Sequence, residues 1–105
     1  MAKEFLDFDA VLTTSESDVY VATNKAMTLL IQAVNISDTE VEAELWITNG
    51  SNEHKKAVMR SRSITPGEGG VSDTAKHIIK PGWKVRGKAE TAAAVMVEVS
   101  VLEGM

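Results

Sequence analysis

A chain of 105 residues, 44% of them apolar, supports a single hydrophobic core that buries roughly 65% of the surface exposed by the unfolded chain. The absence of cysteine excludes disulfide staples, thiolate nucleophiles and thiolate metal sites together. Eleven Lys plus Arg against fifteen Asp plus Glu give a formal charge of −4, which offers no excess positive field to phosphate and weighs against a nucleic-acid partner.

The amino terminus, Met1-Ala2-Lys3-Glu4-Phe5-Leu6-Asp7-Phe8-Asp9, carries acids where a secretion signal needs a basic start and an unbroken apolar run. No apolar run approaches the roughly 20 residues of a membrane span. The expectation is a protein made in a cytoplasm, with no membrane partner. Both phenylalanines, Phe5 and Phe8, fall in residues 1–16. That segment is predicted either to cover one end of the core as an edge element or to leave the domain as an arm and dock on a neighbouring subunit. Residues 17–105 form the domain proper.

Residues 18–22 read as a short strand, followed by turn chemistry at Thr23-Asn24-Lys25. Residues 26–36 are apolar on both sides. Met27, Leu29, Ile31 and Ala33 are assigned to one face and Leu30 and Val34 to the other, which predicts a central strand covered on its outer side. Residues 41–47 alternate. Val41, Ala43, Leu45 and Ile47 point inward, while Glu40, Glu42, Glu44 and Trp46 share the wet face. A helix here would stack Glu40 on Glu44 as like charges, so strand is preferred.

Residues 55–64 form a weaker strand, with Arg60 and Arg62 placed on one face with Val58 and Ile64, and an edge or interface position is expected. Pro66-Gly67 and Pro81-Gly82 mark turns, and residues 66–70 read as a plain loop. Residues 83–89 alternate Trp83, Val85, Gly87 and Ala89 against Lys84, Arg86 and Lys88. The clearest period-two run follows, with Val95, Val97, Val99 and Val101 at every second position. About seven short strands spaced by turn signals predict an all-β fold, a single antiparallel β-sandwich of Ig-like or jelly-roll type.

Catalytic signatures are absent from the sequence. His54 and His77 lie in no metal-ligand or general-base spacing and read as surface histidines. No Gly-x-Ser-x-Gly elbow occurs, and Gly67-Glu68-Gly69-Gly70 lacks the Gly-Lys-Ser/Thr of a phosphate loop. No catalytic, cofactor-binding or metal-binding residue is assigned. The glutamate face and the Lys84/Arg86/Lys88 face are either solvated cross-strand neighbours or complementary patches that meet between subunits. Trp46 and Trp83, with Glu53, offer a carbohydrate platform as an alternative.

Tyr20 within Val19-Tyr20-Val21, Ala33-Val34-Asn35 at a strand end, Ile64-Thr65-Pro66-Gly67, and Ile79-Lys80-Pro81-Gly82 together resemble the small β-sandwich proteins of bacteriophage and prophage structural genes. Trp83 stands where that pattern has aspartate. The resemblance implies a non-enzymatic virion protein, a capsid decoration (cement) protein or a neck, tail or fibre component. It also implies partners consisting of copies of itself and a phage capsid or tail protein, location in the virion, and no cofactor. The candidate subunit contacts are Phe5, Phe8, Glu40, Glu42, Glu44, Trp46, Lys84, Arg86 and Lys88, with the loops 49–53 and 66–70 as secondary surfaces.

Overall fold

The computed structural model describes residues 4–104. Among these residues nine strands follow one another: β1 (Glu4–Val11), β2 (Ser17–Val21), β3 (Ala26–Asn35), β4 (Val41–Thr48), β5 (His54–Ile64), β6 (Gly69–Asp73), β7 (Ile78–Ile79), β8 (Lys84–Ala89) and β9 (Val95–Glu103). One sheet runs β1-β9-β3-β6, with β7 also paired to β3, and the other runs β2-β8-β4-β5. In both sheets an early strand pairs with a late one, β1 with β9 and β2 with β8, the interleaved order of a jelly roll rather than an Ig-like sandwich. The two strands beyond the expected seven are β1 and β7, which is cut from β6 by the loop through His77.

Alternation explains the core. Val95, Val97, Val99 and Val101 of β9 are fully buried, as are Val41, Leu45 and Val85 from β4 and β8, in one cluster between the sheets. Each such side chain contributes about 1.5–3 kcal/mol of burial. Residues 4–11 take the edge-strand form, pairing with β9 residue for residue from Glu4↔Glu103 to Val11↔Met96.

Bulges correct the strand faces expected from simple alternation. The register of β3 against β9 shifts between Thr28 and Leu30, so Ala26 and Thr28 point inward before the bulge and Ile31 and Ala33 after it. Met27 therefore lies on the outer side, opposite Ile31. Met27, Leu30 and Val34 stay half-buried on that outer side. In β5, eleven residues span the eight of β4 through three register shifts, so Met59 and Ile64 both face the core despite their opposite parity. Ile64 therefore does not share a face with Val58.

Both Pro-Gly pairs form tight turns. Glu68 N donates to Thr65 O (3.1 Å) and Trp83 N donates to Lys80 O (2.9 Å). Gly67 and Gly82 have φ of 77° and 83°, the left-handed third position that favours glycine behind proline. Gly69 and Gly70, expected in the loop, already belong to β6.

Candidate functional site

On the outer face of the β2-β8-β4-β5 sheet, register places Glu44 opposite Lys88, Trp46 opposite Arg86 and Thr48 opposite Lys84. The two charged faces read from the sequence are thus one face of one sheet. Lys88 Nζ lies 3.4 Å from Glu44, Arg86 pairs with Asp18 (2.7 Å) and Glu16 (2.8 Å), and Lys84 lies 3.9 Å from Asp18. Their complementarity is satisfied within the chain, where partly exposed pairs contribute a few tenths of a kcal/mol each. Glu42 accepts from the Ser61 hydroxyl at 2.9 Å. Glu40 is exposed and lies before β4 rather than on it.

Trp46 is half-buried, donates Nε1–H to Glu44 at 3.0 Å and stacks on His54 with ring centroids 4.2 Å apart. Trp83, in phase with the inward-facing Val85, packs against the core. The two tryptophans fall on opposite faces of the sheet and form no common sugar platform.

At the β1 edge the phenylalanines divide. Phe8 packs inward, 5.0 Å from the Tyr20 ring, whereas Phe5 is 64% exposed. Register aligns Phe5 with Leu102, Met27 and Ile78 as one row across the outer face of the sheet. Beneath this edge, Glu103 is 6% exposed. It accepts from Tyr20 Oη (2.8 Å), Thr23 N (2.9 Å) and Asn24 N (2.7 Å), and so ties β9 of one sheet to β2 of the other. Burial, reinforced by the hydrogen bond to Glu103 and its charge, raises the Tyr20 phenol well above its ordinary value.

The opposite edge is basic. β5 carries Lys55, Lys56, Arg60 and Arg62 and no acid, and it lies against β6, as β1 lies against β2. Near its start Lys56 Nζ is 2.9 Å from His77 Nδ1, and His77 Nε2 is 2.8 Å from Asp73 Oδ2. His77 is 8% exposed, a buried rather than a surface histidine. Partial burial pushes the Asp73 carboxyl upward, but hydrogen bonds from His77 and the Ala75 amide, with the nearby positive charge, outweigh it and hold the carboxyl below its ordinary value. Among the described residues no three His, Cys, Asp or Glu side chains come together as a metal-ligand set.

The Glu103 staple had a signal in the sequence, since Glu103 continues the inward phase of the four valines. The Lys56–His77–Asp73 chain had none, because β5 and the β6–β7 loop meet only in the fold.

No family model matches this sequence, and no curated protein matches it. A solved chain described as "Bacillus endospore appendages form a novel family of disulfide-linked pili" is similar, with a TM-score of 0.54 and 14% identity, covering 96% of this chain and 83% of that one. What the two share is the fold. At that identity the likeness extends to the sandwich and its strand arrangement.

Proposed function

We propose that this protein is a structural subunit without catalytic turnover, which associates with copies of itself through opposite sides of the sandwich. The observation that carries this reading is the charge on those sides. β1 presents Glu4, Asp7 and Asp9 with no Lys or Arg, whereas β5 presents four cations with no acid. A surface that complements a different surface of the same molecule makes a heterologous contact, which closes into a ring or continues as a filament. The fold shared with a chain described as forming pili supports a polymer-forming subunit. That description names disulfide linkage, which a chain with no cysteine does not make.

The phage-like motifs around Tyr20, Asn35, Pro66 and Pro81 support a virion setting, as a capsid decoration protein or a neck, tail or fibre component, with a capsid or tail protein as second partner. The same two sides serve either a shell or a filament.

Charge exchange tests the reading. Asp7→Asn with Asp9→Lys makes the β1 side less acidic while keeping an acceptor for the Ser100 hydroxyl, now 2.7 Å from Asp7. Arg60→Glu with Arg62→Glu makes the β5 side acidic. Each variant alone is expected to sediment as a monomer with an unchanged circular dichroism spectrum, and an equal mixture is expected to assemble. Assembly of the wild type should weaken as salt shortens the Debye length below about 10 Å. A wild type that stays monomeric at low salt and high concentration, or an Asp9→Lys variant that assembles like wild type, overturns the proposal.

A further inference from the structure

We infer that the cavity at the start of β5 is a binding site for a phosphate or sulfate group carried on a flat organic moiety. The cavity holds about 360 Å³ and is lined by Lys55 and Lys56 of β5, Lys76 and His77 of the β6–β7 loop, Ile47, Ile78 and Trp83. Three lysines thus line one cavity in a chain whose net charge is −4. The acid at its back, Asp73, is already engaged by His77 Nε2 and by the Ala75 amide, each at 2.8 Å. Among the described residues, Lys55, Lys56 and Lys76 make no ion pair with a carboxylate. Like charges around one cavity repel, and an anion bound there relieves that repulsion.

The site is also partly ordered in advance. Lys56 spends one hydrogen on His77 Nδ1 and keeps two for a ligand. His77, held at both ring nitrogens, fixes that lysine, which lowers the ordering cost of binding. Ile47, Ile78 and Trp83 supply an apolar wall beside the cations, suited to a ring or other flat group attached to the oxyanion. Lys80 Nζ lies 5.0 Å from the centroid of the Trp83 ring.

This site does not depend on self-association, and the test is run on the Asp7→Asn/Asp9→Lys variant so that failure of one reading leaves the other standing. The probes are inorganic phosphate and phenyl phosphate, with sodium chloride at matched ionic strength as the control. Amide NMR shifts are expected at residues 55, 56 and 76–78, with a shift of the Trp83 indole, and phenyl phosphate is expected to bind more tightly than phosphate. Lys55→Ala with Lys76→Ala should weaken binding at least tenfold, while Lys88→Ala on the outer sheet face should leave it unchanged. Shifts reproduced by chloride, or equal loss in the Lys88→Ala variant, reduce the effect to general surface charge and overturn the site.

Discussion

The two open sides of the sandwich handle the exposed strand edge differently. β1 pairs with β9 through eight consecutive residues without a bulge, so its outer edge is regular and a ready template for another strand. Acids guard it. β5 departs from the register of β4 three times and carries Lys and Arg along its length, which leaves no flat ladder for another strand to extend. Like edges repel in both cases. In the proposed assembly, contact between the sides would therefore be set by side-chain charge rather than by strand addition, and would have a direction.

The sides also differ in how they are closed across the two sheets. Next to β1, closure depends on one buried carboxylate with three donors. Next to β5, it depends on packing, where Met59 and Ile64 fill the space over Gly70. Glu103→Ala attacks the first and should have the largest effect, because it leaves Tyr20 Oη and two backbone amides without their acceptor. A loss of about 3 kcal/mol or more is expected in chemical denaturation. Gly70→Ala attacks the second. A Cβ there would lie 2.5 Å from Ile64 Cδ1 and 2.8 Å from Met59 Sδ, ends of side chains that can partly move, so overpacking of about 1–3 kcal/mol is expected. If the Gly70 variant proved the more damaging, the β5 side rather than the Glu103 staple would be the keystone of the fold.

Absorbance sharpens the contrast. Tyr20 is the chain's one tyrosine, so alkaline titration of phenol absorbance reports the staple alone. Because its folded value is raised, the stabilising contribution is complete below the ordinary value of 10.0 and is lost only as pH climbs from there toward the folded value. Phenolate should appear together with unfolding rather than ahead of it. Ionisation at the ordinary value with the fold intact would mean that the Tyr20–Glu103 bond is not made in solution.

The sandwich was legible wherever periodicity was uninterrupted. The four valines of β9, the alternation of β4 and the two Pro-Gly turns each state their structure locally, and all three lie as expected. Bulges were not legible, since no residue type marks the extra position at Leu29 or within β5, and each one inverts every face assignment beyond it. The candidate surfaces suffered from a different gap. Glu44 and Lys88 were both visible as outward charges, but only strand order reveals that they neighbour each other within one sheet. His77 carried no sign of burial. It is enclosed because Thr28 Oγ1 accepts from His77 N (2.9 Å) and donates to Ala75 O (3.2 Å), drawing the β6–β7 loop over the sheet edge.

The smallest expected effect separates the basic side from the staple by the opposite sign of pH dependence. Asp73 has its carboxyl value lowered by folding from an ordinary 3.8, so its contribution is present above that value and disappears as pH falls through the folded one. Asp73→Asn should therefore lower stability by a constant amount at neutral pH, and the gap from wild type should shrink only on the acid limb, below 3.8. The alkaline limb should be untouched, because Tyr20 lies on the other side of the molecule. A difference that stayed constant into strong acid would show that the charge of Asp73 does not contribute to holding the β6–β7 loop.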